Sequence, residues 1–163
     1  KRFDDNGFVL GNPLATSFSR IWDIEQSASD VLWLATGHGL NRLNTNDFRF
    51  SHYVADDSIG ANGVNKVRKV VVSKNNQLVL GTHDGVMIFN PKNETFTPVL
   101  TAQKKTLGPI FSLLKTSFGE YWVSTNKGVY FFTDQTLQLE KVPLGIDDSC
   151  SQTLFKTVKT LSG

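Results

Sequence analysis

A single cysteine, Cys150, among 163 residues excludes an intramolecular disulfide and any cysteine-based zinc site, both of which need more than one thiol. No apolar run approaches the roughly 18 residues that a membrane-spanning helix requires, so membrane attachment would come only through parts of a protein absent from this chain. An excess of one charge is also missing: 17 Lys and Arg against 15 Asp and Glu leave a formal +2. These charges are scattered, which gives no electrostatic footprint for nucleic acid. There is no Gly-x-Ser-x-Gly, no phosphate-binding loop and no zinc-hydrolase helix pattern. The first residues, Lys1-Arg2-Phe3-Asp4-Asp5, are polar and carry no signal-peptide pattern. The mature part of an exported chain would look the same, and a lone cysteine suits a cytoplasm and a periplasm alike.

What is present is apolar and aromatic: 39% hydrophobic residues, including 12 Phe, 3 Trp and 3 Tyr, exclude disorder and supply a core. The stronger signal is internal repetition. One block runs Ile21-Trp22-Asp23-Ile24, then Val31-Leu32-Trp33-Leu34-Ala35-Thr36-Gly37-His38-Gly39-Leu40, then Phe48 to Tyr53. A second runs Val67-Arg68-Lys69-Val70, then Leu78-Val79-Leu80-Gly81-Thr82-His83-Asp84-Gly85-Val86. A third runs Ile110-Phe111-Ser112-Leu113, then Tyr121-Trp122-Val123-Ser124-Thr125-Asn126-Lys127-Gly128-Val129. Thr36, Thr82 and Thr125 are 46 and 43 residues apart, and three further columns (Gly39/Gly85/Gly128, Phe50/Phe96/Leu139, Ile21/Val67/Ile110) share those intervals. A shift of 44 maps Ile110-Phe111 onto Leu154-Phe155 and Gly119 onto Gly163, so the chain is expected to stop midway through a fourth unit.

Within each unit, apolar runs of four to seven residues are separated by breakers, the pattern of short strands. In the first unit, Arg20–Glu25, Val31–Thr36, Leu40–Asn44 and Phe48–Tyr53 read as four strands. Thr-x-x-Gly is expected to be the tight link from second to third strand, its glycine supplying a positive φ. Four antiparallel strands every ~40–45 residues make the blade of a β-propeller. The expectation is an all-β partial β-propeller of about three and a half blades, in units 18–53, 64–99, 107–142 and a truncated 151–163, behind a leading segment 1–17. Gly7-Phe8-Val9-Leu10 in that segment reads as a short strand. Trp33 and Trp122 share a column expected to fill the layer between blades. So few blades do not close a ring of ~4–8, so open faces and self-association are expected.

At Ile-x-x-Ile, Val-Leu-Trp-Leu-Ala-Thr, Gly-Leu-x-Arg-Leu and Phe-x-x-Tyr, the unit Ile21 to Tyr53 resembles the two-component regulator propeller repeat. The other units are similar through Leu-Val-Leu-Gly-Thr and Tyr-Trp-Val-Ser-Thr, as is Ser58–Val64 to the loop that precedes each repeat. The resemblance runs from Phe18 to Val142, with Val79 departing from the Trp column. It implies the extracytoplasmic, hence periplasmic, sensor portion of a bacterial membrane-bound signalling protein, whose output is a histidine kinase or a diguanylate cyclase.

Trp22, Arg68 and Phe111 share one column of the innermost strand and would face a ligand in the central channel; the competing reading is packing between blades. The Thr-x-x-Gly loops vary at His38, His83, Asp84, Asn126 and Lys127, and variation within a fixed loop frame is where recognition resides; the competing reading is a solvated turn. His38, His52 and His83 come from different columns without a shared carboxylate pattern, so no metal site and no cofactor is expected. The pairs Asp4-Asp5, Asp56-Asp57 and Asp147-Asp148 are adjacent acids that point apart in a strand, so no catalytic residue is assigned. The resulting expectation is a non-enzymatic sensory or ligand-binding fragment with a small-molecule or glycan ligand. The alternatives are a propeller lyase or glycoside hydrolase with its acids elsewhere, or a protein–protein docking platform.

Overall fold

In the computed structural model, residues 20–55 and 63–143 are described. The leading segment 1–17 with Gly7–Leu10, most of the Ser58–Val64 loop, the three acid pairs, Cys150 and the truncated unit 151–163 lie outside these residues. The described chain is all strand and turn. The first blade is β1 (Ile21–Ala28), β2 (Val31–Thr36), β3 (Gly39–Asn44) and β4 (Phe50–Tyr53). The second is β5 (Val67–Val72), β6 (Leu78–Thr82), β7 (Gly85–Asn90) and β8 (Thr95–Thr101). The third is β9 (Ile110–Lys115), β10 (Glu120–Thr125), β11 (Gly128–Thr133) and β12 (Gln138–Lys141).

Each blade is an antiparallel meander in strand order. One link joins two of them at the rim: β8 and β12 pair in parallel through Gln138 with Leu100 and Leu139 with Thr101. Repeat periodicity gave no sign of this link, because it joins two outer strands whose edges carry no repeat signature. The fourth strand also starts later than the sequence suggests. Phe48 is a turn residue with φ 56°, and its column-mates Glu94 and Leu137 have φ 58° and 44°. A left-handed residue ends the turn at the same place in every blade, so Phe48 is 69% exposed and pairing begins at Phe50.

Blades stack face to face because their middle strands, such as β6 and β7, carry buried apolar residues on both sides. Between the first and second blades, Val31, Trp33 and Ala35 pack with Val67, Val70, Leu78, Leu80, Met87 and Phe89. Trp33 lies 5.8 Å from both Tyr53 and Phe89, ring centroid to ring centroid. Between the second and third, Val79, Val86 and Ile88 meet Ile110, Leu113, Tyr121, Val123 and Phe132. Column-mates therefore face the same way: Val67 and Ile110 look back at the preceding blade, Trp33 and Val79 look forward to the next. By that rule Trp122 looks forward past the third blade, where it is half-buried and stacked on Phe131 at 5.4 Å. At the other end, Ile21 and Ile24 are 46% and 55% exposed, whereas Val67 and Val70 are 1% and 2% exposed.

The inner strands adjoin, β1 against β5 and β5 against β9. Asp23 seals part of this seam by accepting from the Val70 backbone N–H at 3.2 Å, and Glu25 accepts from Val72 at 3.5 Å. Three face-to-face blades around adjoining inner strands form a partial β-propeller.

Candidate functional site

The Thr-x-x-Gly turns are built identically in all three blades. The hydroxyls of Thr36, Thr82 and Thr125 donate to the carbonyls of Gly39, Gly85 and Gly128 at 2.8, 2.9 and 3.0 Å. The same oxygens accept from the backbone N–H of His38, Asp84 and Lys127. The closing glycines have φ of 107°, 120° and 114°, which side-chain-bearing residues adopt poorly. A buried threonine and a left-handed glycine thus fix the frame, and the two residues between them are presented outward.

Register places these turns beside the starts of the inner strands: Ile21 pairs with Thr36, Val67 with Thr82 and Ile110 with Thr125. At that point each inner strand is bulged. Pairing jumps from Ile21 to Asp23, from Val67 to Lys69 and from Ile110 to Ser112, leaving Trp22, Arg68 and Phe111 as the extra residues. A bulge frees a residue from the ladder and re-aims its side chain. The three freed side chains meet. The Arg68 guanidinium carbon lies 5.6 Å from the Trp22 ring centroid and 5.6 Å from that of Phe111, so the cation is bracketed by two aromatic rings from the flanking blades. Such contacts each contribute about 0.5–2 kcal/mol. Trp22 is 37% exposed, and its ring edge passes over Gly37, where an added Cβ would sit 3.8 Å from it.

All eight candidate residues therefore lie at one end of the blades. His38 and His83 are exposed at the tips of their turns, as are Asn126 and Lys127. His38 stacks on His52 at 5.8 Å, and its carbonyl is bonded by His52 Nε2. Asp84 is half-buried and accepts from the Thr106 hydroxyl at 3.4 Å. The structure joins Trp22, Arg68 and Phe111 into one stack and distributes the turn residues around it.

Two contacts between inner strands were not read from the sequence. Lys69 reaches Asp23 at 3.7 Å next to the bulges, and at the opposite end of the inner strands Lys115 donates to the Val72 carbonyl at 2.8 Å. The only signal was polar residues recurring at the 23/69 column, which periodicity alone reads as a half-exposed strand. Away from this end, burial pushes the Tyr121 phenol above the ordinary tyrosine range, reinforced by nearby Asp134. Tyr121 belongs to the layer between blades.

The described chain has the shape of parts of larger, solved extracellular domains. One is the extracellular domain of BT3049 from B. thetaiotaomicron, described as a hybrid two-component system, with a TM-score of 0.59 and 24% identity over 79% of this chain and 16% of that one. Two others are structures of the BT4673 extracellular domain from the same organism. The one described as a one-component system has a TM-score of 0.57 and 22% identity over 69% of this chain and 15% of that one. The one described as a hybrid two-component system has a TM-score of 0.59 and 17% identity over 75% and 16%. The fold is shared. This chain spans about a sixth of those domains' length, as the 16% coverage states. No family model matches the chain, and no curated protein matches its sequence.

Proposed function

We propose that this chain is a ligand-sensing section of the extracytoplasmic input domain of a bacterial membrane-bound signalling protein. The reading rests on one observation: in three successive blades the inner strand bulges at the same column and delivers Trp22, Arg68 and Phe111 into a single stack on the turn-bearing face. A purely structural repeat has no need of a bulge that turns aromatic and cationic side chains out of the ladder. The shared fold with extracellular domains of two-component and one-component systems supports an extracytoplasmic setting, while the periplasmic location and a histidine kinase or diguanylate cyclase output rest on the repeat resemblance.

The face acts by binding, without chemistry of its own. A small-molecule or glycan ligand on the stack would bridge the first and third blades and favour one arrangement of paired sensors. Signal strength is then the ligand's differential affinity for the two arrangements. Pairing also has a physical basis in the end faces. Ile21 and Ile24 carry the column that Val67 and Val70 bury against the preceding blade, and Trp122 carries the column that Trp33 buries against the next. A second copy of the chain, its third blade against the first blade of its partner, repeats the internal interface.

A thermal-shift screen of small metabolites and oligosaccharides tests the sensing role. Hits are expected to stabilise the native chain and to lose their effect in Trp22→Ala and Phe111→Ala. Hits that survive both substitutions place the binding elsewhere and contradict the assignment of this face.

A further inference from the structure

The chemistry of the stack specifies more than a generic ligand. Resting on the reading of this face as the ligand face, we infer that the ligand presents an oxyanion, held edge-on by the Arg68 guanidinium between Trp22 and Phe111. Two aromatic rings flank the guanidinium, each ring centroid 5.6 Å from its central carbon, and recognition would use its N–H edge. That edge is a fork matched to the paired oxygens of a carboxylate, phosphate or sulfate. Among the described residues Arg68 has neither an ion pair nor a hydrogen bond, although it is only half-exposed.

Among the described residues, Asp23 and Asp84 are engaged elsewhere. Asp23, next in sequence to Trp22, faces Lys69 and the Val70 N–H, and Asp84 accepts from Thr106. An arginine flanked by two rings, whose donors meet no acceptor among the described residues, is pre-organised for an external anion. Pre-organisation matters because the cost of ordering the side chain is already met before binding.

The test is a titration of the chain with sodium acetate, sodium sulfate and neutral acetamide at constant ionic strength in chloride. Arginine Nε–H and tryptophan Nε1–H resonances are followed by NMR. A saturable shift at Arg68 and Trp22, absent at Arg20, Arg42 and Arg49 and absent with acetamide, is expected. Tighter acetate binding assigns the site to carboxylate ligands, and tighter sulfate binding assigns it to tetrahedral oxyanions. Arg68→Gln should weaken anion binding, read at Trp22, by at least about tenfold, the loss expected for a hydrogen-bonded charge. Arg68→Lys, which keeps the charge without the fork, should fall between. A drift common to every arginine, or equal effects of acetate and acetamide, overturns the inference. So does a Trp22 response to acetate that Arg68→Gln leaves intact. Neutral compounds that bind at Trp22 without touching Arg68 would overturn the oxyanion while leaving the ligand face standing.

Discussion

Replacing Gly81 with alanine tests the packing of blade on blade at a single carbon. An added Cβ at Gly81 would lie 2.7 Å from Ile110 Cγ2, 3.1 Å from Ile110 Cβ and 3.2 Å from Lys69 Cβ. Ile110 is fully buried and β-branched, so its methyl has no alternative rotamer to retreat into. Overpacking of this kind costs about 1–3 kcal/mol. The backbone term has the opposite sign. Gly81 is mid-strand, outside the positive-φ glycines, so alanine would otherwise stabilise by about 0.4–1 kcal/mol through the unfolded chain. The net expectation is a loss of about 1–2 kcal/mol.

The interface between the first and second blades supplies the compensating change. The column of Gly81 and Ile110 is occupied there by Ala35 and Val67, the same number of carbons with one moved across the interface. Gly81→Ala with Ile110→Val should therefore recover to within about 1 kcal/mol of the parent, a coupling visible in a double-mutant cycle. Denaturant unfolding at a fixed protein concentration, followed by tryptophan fluorescence, measures all four corners. A Gly81→Ala protein as stable as the parent, or more stable, would falsify the face-to-face packing of the second and third blades.

Three further outcomes follow from the same geometry. Thr82→Val leaves the Gly85 carbonyl and the Asp84 N–H without their shared hydroxyl in a buried turn, so unfolding free energy should fall by about 1–3 kcal/mol and Asp84 amide exchange should quicken. Gly85→Ala forces a Cβ into φ 120° and should cost about 1–3 kcal/mol, with an unchanged urea midpoint as the contrary result. Burial and Asp134 raise the folded-state phenol of Tyr121 above its unfolded value of 10.0, so its stabilising effect is complete below that pH and is lost as pH climbs past it. Tyr121→Phe should remove that part of the alkaline decline, seen by comparing urea midpoints of the two proteins from about pH 9 to pH 11; parallel curves would contradict it.

The parts of the fold that repeat were legible in the sequence, and the parts that join repeats were not. Thr36, Thr82 and Thr125 with their following glycines announced a turn, and the structure shows why those residue types recur: one hydroxyl and one left-handed backbone close it. The inner-strand column Trp22/Arg68/Phe111 was also visible, but not that its members touch. That needs the bulge, which shifts alternation by one residue, and the adjacency of strands whose residues stand 46 and 43 apart. The left-handed column Phe48/Glu94/Leu137 was hidden because its residues are not those that normally mark such backbone. The bond from Val70 to Asp23 and the rim pairing of β8 with β12 connect side chain to backbone or edge to edge, and neither leaves a hydrophobic pattern.

The central structural claim is that each blade face is made to meet another blade, which leaves Ile21, Ile24 and Trp122 as ends of an interrupted stack. Light scattering of the chain over a tenfold dilution series tests it most directly. The account predicts a mass that rises above the monomer with concentration, and a return to monomer in Ile24→Lys, which places a charge where Val70 is buried in the next blade. A mass fixed at the monomer throughout the series, unchanged by Ile24→Lys, would contradict it.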